Sequence, residues 1–145
     1  MMQMRSFIIF SVLIAAVFIS SCSSLSSKIS PGINLADYHD YYVVRHDRDM
    51  RHIDKFIKNE MQKLGLNAQS GPIDSKPPEV DVIVNYIDKW HWDITVYMLR
   101  LTIDFRDAKS DVLLATGKSE HPSFGRKPPE FHAREILESI FKEKK

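Results

Sequence analysis

The clearest pattern in the chain is an alternation of apolar and polar residues between residues 97 and 106. The apolar side chains occupy every second position: Tyr97, Leu99, Leu101, Ile103 and Phe105. The positions between them are methionine or polar residues: Met98, Arg100, Thr102, Asp104 and Arg106. This period of two predicts a β-strand with one buried face and one wet face. The same period predicts a strand over residues 80–87, with a bulge or turn near 88–89. A polar turn at 107–111 and a returning strand at 112–118 complete the predicted hairpin.

Two other segments have the three- and four-residue apolar spacing of amphipathic helices. The first spans residues 49–64, and its apolar positions are Met50, Ile53, Phe56, Ile57, Met61 and Leu64. Asp47 or Asp49 can cap its start, and Gly65 stands where a helix ends. The second begins at Pro128 and Pro129, and its stripe consists of Ala133, Ile136, Leu137, Ile140 and Phe141.

These elements, with a short first strand within residues 37–46, predict the order β-α-β-β-β-α. Residues 67–79 contain Gly71, Pro72, Pro77 and Pro78 and are predicted to be a loop. The predicted fold class is α+β, an antiparallel sheet of about four strands with two helices packed on one face.

The N-terminal residues follow a different pattern. A single charge, Arg5, precedes an apolar run over residues 7–19 that is broken only by Ser11. The run is short for a bilayer-spanning helix, which needs about 20 apolar residues. It is typical of the apolar core of a secretion signal, so we expect residues 1–21 to be a signal peptide; the alternative is a transmembrane anchor.

Ile19, Ser20, Ser21 and Cys22 resemble the bacterial lipobox. The resemblance implies cleavage before Cys22 and a diacylglyceryl group on its thiol. Cys22 is the only cysteine, so it cannot form an internal disulfide, and lipidation accounts for it. More than one acyl chain anchors a protein stably to a membrane. By similarity to other Gram-negative lipoproteins, Ser23 favours the periplasmic face of the outer membrane.

The mature chain is therefore expected to have two parts. Residues 22–34 comprise the lipidated cysteine and a flexible tether, because residues 23–32 contain five serines, a proline and a glycine. Residues 35–145 are expected to form a single periplasmic α+β domain.

A lipobox followed by the pattern β-α-β-β-β-α, with the paired strands VDVIVNY…YMLRLTIDFRDAKSDVLLATG, resembles small Gram-negative envelope lipoproteins. The lipopolysaccharide-assembly lipoprotein and the penicillin-binding-protein activator lipoproteins are examples, and small lipoprotein families of unknown function share the pattern. The resemblance implies an outer-membrane lipoprotein, and it contains no motif specific to one activity.

Charge limits the classes of partner. Residues 1–21 contain one of the 20 Lys and Arg residues and none of the 19 Asp and Glu residues, so the mature chain is formally neutral. Nucleic-acid binding needs a concentrated positive surface, and this balance argues against it. Electrostatic attachment to anionic lipid is disfavoured for the same reason.

No pattern specifies catalysis, a metal or a cofactor. None of the six histidines has H-x-x-x-H spacing, and the densest polar cluster, His46, Asp47, Asp49 and His52, lies where helix capping explains it. No serine lies in a G-x-S-x-G motif, and the five glycines form no phosphate-binding loop. Asp88 and Asp93 are expected to flank a turn. The sequence therefore predicts no enzyme.

Two groups of side chains are candidate contacts for a partner. Trp90 and Trp92 share one face of their strand, and either they close the core beneath a helix or one or both form an aromatic contact site. Phe124 lies beside Arg126 in a predicted loop, where it either contacts a partner or folds back into the core.

The predicted function is a non-enzymatic, lipid-anchored accessory protein that binds another envelope protein. The alternative is a carrier of lipid or glycolipid, with a groove between the sheet and the helices. A small periplasmic hydrolase is a third hypothesis, and it requires a polar cluster that only the fold can assemble.

Overall fold

A computed structural model describes residues 22–142 of the chain. The predicted signal peptide, with the lipobox residues Ile19, Ser20 and Ser21, lies outside the described residues, and Cys22 is exposed. The elements are β1 Ser24–Ile29, β2 Asp40–Val44, α1 Ile53–Lys63, β3 Asn67–Gly71, β4 Val82–Asp93, β5 Thr95–Asp107, β6 Leu113–Glu120 and α2 Pro129–Phe141. Among residues 22–142, no helix has the length and apolar character needed to cross a membrane.

The strands form one mixed sheet of six, in the order β1-β6-β5-β4-β2-β3. β2 runs parallel to both β3 and β4, and the other neighbours are antiparallel. The predicted α+β class is confirmed, but the predicted antiparallel sheet of about four strands is wrong. The parallel pair arises because α1 carries the chain from β2 back to the same end of the sheet before β3 begins.

The predicted flexible tether is wrong over Ser24–Ile29, because this segment is the edge strand β1. β1 pairs with β6 along its whole length, from Ser24 beside Glu120 to Ile29 beside Ala115. All six of its residues are exposed, so a backbone ladder and not apolar burial holds the strand in place. A strand of this kind has no alternating sequence pattern.

The predicted loop over residues 67–79 is wrong at its beginning. Asn67–Gly71 form β3, the other edge of the sheet, in register with Asp40–Val44. The strand reads NAQSG and contains no branched apolar residue, so its composition is typical of a turn. Only Ala68 contributes to the core.

The core lies between the two helices and one face of the sheet. The sheet contributes side chains of the predicted parity from β4 and β5, and the helices contribute their predicted apolar stripes. The central residues are Val82, Val84 and Tyr86 of β4, Leu101, Ile103 and Phe105 of β5, Ile53, Ile57 and Met61 of α1, and Ala133, Ile136 and Leu137 of α2. Gly117 of β6 allows α2 to lie close to the sheet. A Cβ at this position would come within 2.4 Å of Ile136 Cγ2.

A bulge changes the predicted alternation at the start of β5. Lys89 pairs with Arg100 and Trp90 pairs with Met98, so Leu99 has no partner on β4. Met98 therefore lies in the core, and Leu99 is half-buried outside it. The sequence predicts a bulge or turn near residues 88–89; β4 is continuous there, and the bulge lies opposite, with Leu99 of β5 as its extra residue. The predicted parity of residues 97–99 is wrong.

Candidate functional site

The hairpin of β4 and β5 ends in a group of exposed apolar side chains. Trp92 pairs with Val96, and Ile94 occupies the turn between the strands. Trp92 is 70% exposed, Ile94 is 86% exposed and Val96 is 52% exposed. Phe124, in the loop before α2, is fully exposed. We call these four residues the tip surface: Trp92 and Val96 lie on the helix side of the hairpin, and the Phe124 loop contacts Thr95 and Tyr97, whose side chains alternate with Val96 and lie on the other side. Exposed apolar clusters of this kind mark contact sites for proteins or membranes.

Ile94 also has a backbone conformation that disfavours its residue type. Its φ is +63°, in the left-handed region, where a β-branched side chain is strained and glycine is preferred. Neither the exposed apolar side chain nor this conformation helps the chain to fold. Strain of this kind concentrates at functional positions, so the turn itself is a candidate contact.

Arg126 links the Phe124 loop to the β4–β5 hairpin through hydrogen bonds and a cation–π contact. Its Nη1 donates a hydrogen bond to Thr95 Oγ1 at 2.6 Å, and its Nε donates one to the Ser123 carbonyl at 3.0 Å. The guanidinium lies over the ring of Tyr97, with Cζ 4.7 Å from the centroid. The Ser123 hydroxyl donates a hydrogen bond to the carboxylate of Asp93. The loop is thus held in one place relative to the tip before any partner arrives.

The structure gives the two tryptophans different roles. Trp90 is half-buried against the core, where its Nε1 donates a hydrogen bond to Asp88 Oδ2 at 2.5 Å. The guanidinium of Arg51 covers its ring at 4.2 Å. Trp92, two residues further along the same face and next to the turn, is exposed. Trp90 is therefore a core residue at the margin, and Trp92 is available for contact.

Of the four candidate contact residues, Trp92 and Phe124 are exposed at the end of the hairpin and Arg126 holds the loop there. The prediction that Trp90 contacts a partner has no support from its position. Sequence reasoning missed Ile94 and Val96, because exposure at a hairpin end has no periodic signal. The sequence signal that could have indicated this site is Ile94, an apolar residue that alone connects β4 to β5.

Cys22 and the tip surface lie at the same end of the molecule. Ser24 of β1 is paired with Glu120 of β6, and Glu120 is paired with Arg100 of β5. From this level β5 extends to its first residue, Thr95, and the N-terminal end of β1 extends in the same direction toward Cys22. The turn between β5 and β6, which contains Val112, lies at the opposite end of these strands.

The polar cluster around His46 does not assemble a metal site. Asp49 accepts hydrogen bonds from the backbone nitrogens of Arg51 and Ile53 at 2.9 and 2.7 Å, and thus caps the start of α1. It also accepts a hydrogen bond from the Tyr86 hydroxyl at 2.6 Å. Burial raises the pKa of Tyr86, and this hydrogen bond raises it further. A ring nitrogen of His46 contacts the Tyr86 carbonyl, so these side chains organise the helix start and an open groove of about 490 Å³.

No protein family and no curated protein matches the sequence. Several solved structures share the fold. Two crystal structures of the PelC dodecamer from Paraburkholderia phytofirmans are similar, at 9% and 10% identity with TM-scores of 0.60 and 0.61. In both, the similarity covers 79% of this chain and 95% of the other. A PDZ domain protein from Parabacteroides distasonis is similar at 10% identity and a TM-score of 0.58, over 85% of this chain and 37% of that protein. These similarities define the fold.

Proposed function

We propose that the protein is a lipid-anchored, non-enzymatic accessory protein of the bacterial envelope that binds another envelope protein through its tip surface. The observation that carries the proposal is the position of the tip surface, at the same end of the sheet as Cys22. The anchor, by its resemblance to a lipobox, holds the protein at the periplasmic face of the outer membrane. The tip surface then faces that membrane.

The composition of the tip surface favours a protein partner. Tryptophan is enriched among the residues that contribute most to protein–protein binding, and Trp92 is exposed on this surface. The bonds of Arg126 to Thr95 and Ser123 fix the loop before binding, which lowers the entropy lost on association. The partner fitted by this surface is a protein exposed at the same membrane, with an apolar pocket for Trp92 or Phe124.

A second candidate function is direct contact with lipid. The specific observation that favours it is the full exposure of Phe124 beside an apolar hairpin end and a predicted acyl anchor. Tryptophan is favoured at the membrane–water interface, and Trp92 is exposed at the same hairpin end. A further candidate partner is a second copy of the chain, since the similar PelC protein is described as a dodecamer.

In-cell photo-crosslinking tests the proposal. A photoreactive amino acid replaces Trp92, Ile94, Val96 or Phe124 in the full chain, and Val112 serves as the matched control position. Val96 and Val112 are valines with the same exposure, 52%, at opposite ends of the sheet, so a probe at Val96 and one at Val112 differ only in location. We expect a protein adduct of discrete mass at the tip positions and none at Val112.

The other outcomes are equally specific. A lipid adduct at the tip positions would favour lipid contact, and an adduct of twice the chain's mass would favour self-assembly. No adduct at any tip position, or the same adduct at Val112, would contradict the proposal. Replacing Cys22 with alanine should block processing and abolish membrane retention, as measured by the mass of the mature protein and by fractionation. A variant that is processed and retained normally would refute the anchor.

A further inference from the structure

A second cluster of polar side chains is enclosed between the end of β6 and α2. Ser119 is on β6, His121 follows this strand directly, and His132 and Glu135 lie one turn apart on α2. Ser119 and His132 are fully buried, His121 is 7% exposed and Glu135 is half-buried. Buried groups of this kind need specific partners, because transfer out of water costs free energy unless their polar atoms are paired.

The side chains converge on a small volume. His121 Nε2 lies 2.6 Å from Glu135 Oε1, and Ser119 Oγ lies 2.6 Å from His132 Nδ1. The Ser119 hydroxyl also donates a hydrogen bond to the Glu135 carboxylate. One nitrogen or oxygen from each of His121, His132 and Glu135 lies within 4.8 Å of the other two.

Each imidazole directs one ring nitrogen into the cluster, where it would bind an ion, and keeps its other ring nitrogen buried outside these contacts. Among the described residues, His121 Nδ1 and His132 Nε2 are buried and have no hydrogen-bond partner. A neutral imidazole is the form that binds a metal ion, and a carboxylate nearby supplies negative charge.

We propose that His121, His132 and Glu135 bind a divalent transition-metal ion of the Zn²⁺ type. Two imidazoles and a carboxylate are a known set of three zinc ligands, and the fourth position belongs to the Ser119 hydroxyl or to a water molecule. In a tetrahedral site with bonds of about 2.0–2.1 Å, ligand atoms are roughly 3.3 Å apart. The present 2.6 Å separation of His121 Nε2 and Glu135 Oε1 therefore needs to widen by less than about 1 Å.

The spacing of the ligands fits the fold. His132 and Glu135 are three residues apart on a helix, so their side chains lie on the same face. His121 comes from the first residue after β6, and its backbone nitrogen donates a hydrogen bond to the Leu99 carbonyl at 2.9 Å. An ion at this position joins α2 to the sheet at the base of the Phe124 loop. The pairing of His132 with Glu135 was the sequence signal for this site, although H-x-x-x-H spacing is absent.

Metal binding to the full chain, purified in detergent, tests the inference. Metal-free protein is titrated with Zn²⁺ and, separately, with Co²⁺, whose visible absorption reports four-coordinate binding. We expect one ion per chain, and an affinity at least about 10- to 100-fold lower in His121→Asn and in Glu135→Gln. His91→Asn is the matched control, because His91 is exposed on the opposite face of the sheet and should leave the affinity unchanged.

Two further measurements separate binding from folding. Glu135→Gln can keep the contacts to His121 and Ser119, so its circular dichroism spectrum should match that of wild type. Zn²⁺ should raise the melting temperature of wild type and of Cys22→Ser, and leave that of the folded Glu135→Gln unchanged. The inference is overturned if wild type binds no stoichiometric ion, or if binding depends on His91 or Cys22 and not on His121 and Glu135. These readouts do not depend on the envelope partner.

Discussion

Arg134 on α2 donates a hydrogen bond from its Nε to Glu60 Oε2 on α1, at a distance of 3.0 Å. Lys63 Nζ donates to the other carboxylate oxygen at 2.5 Å. The Glu60 side chain is buried, so these two cations supply the charge that its burial requires. The pair links the two helices above the core.

This arrangement predicts an acid-sensitive contribution to stability. Burial alone would raise the pKa of Glu60, but the hydrogen bonds from Arg134 and Lys63 lower it below its ordinary value. The folded state therefore gains stability above the unfolded pKa of about 4.3 and loses it as the pH falls through the folded value. We expect Glu60→Gln to cost about 1–3 kcal/mol at pH 7, and less as the pH falls below about 4.5. Urea unfolding across this range measures it.

Glu79→Gln is the control for this measurement, since Glu79 is exposed. Its effect should stay within about 0.5 kcal/mol at every pH. A cost for Glu60→Gln that is the same at pH 7 and pH 3.5 would show that the lost interaction is steric and not ionic.

Gly117→Ala should destabilise the protein by about 1–3 kcal/mol, because the new methyl group would come within 2.4 Å of Ile136 Cγ2. The change is best measured by urea unfolding, alone and in an Ile136→Ala background. Removing the Ile136 side chain makes room, so the cost of Gly117→Ala should be smaller there. Equal costs in both backgrounds would mean that helix α2 does not press on β6 at this point.

The two tryptophans should respond differently to substitution. Trp90→Ala removes a side chain packed against the core, and we expect a loss of about 1–3 kcal/mol. Trp92→Ala removes an exposed side chain and should change stability by less than about 0.5 kcal/mol. Thermal unfolding measures stability, and the adduct formed by a probe at Phe124 reports binding. Trp92→Ala should reduce that adduct. A large loss of stability in Trp92→Ala would place this residue in the folded core.

Ile94→Gly should stabilise the domain while weakening its interaction with the partner. Glycine adopts the left-handed conformation without steric cost, so relief of strain is worth up to about 1 kcal/mol. The same substitution removes the outermost apolar side chain of the hairpin. Asp111→Gly is the control for location, because its φ of +59° is similar and its turn lies at the opposite end, so it should leave the interaction with the partner unchanged. Lower stability in Ile94→Gly would show that the turn is not strained.

The sequence predicts the hairpin strands and both helices because each has one buried face. Leu101, Ile103 and Phe105 alternate with polar residues, so their buried face is visible as a period of two. β1 and β3 lack such a period, since β1 is exposed throughout and β3 contributes only Ala68 to the core. The strand count and the parallel pairing therefore could not be predicted, because backbone ladders leave no side-chain pattern.

The candidate site was predictable only in part, for a related reason. Trp90 and Trp92 share a face, and parity correctly relates them. Their difference depends on position along the hairpin, since the Arg51 guanidinium and the margin of the core cover Trp90, whereas Trp92, two residues nearer the turn, is exposed. Likewise, His121 is 11 residues from His132 in sequence, and only the packing of α2 against β6 brings their ring centroids to 5.0 Å.

The pairing of β1 with β6 has a mechanical consequence. A force applied at Cys22 acts along the axis of β1, and the rest of the sheet resists it through bonds that run across that axis. The load is therefore shared as shear by the whole ladder from Ser24 to Ile29, and the bonds do not open one at a time as in a peeled strand. A domain anchored through Cys22 can therefore bear a pulling force from the membrane while β1 stays paired with β6.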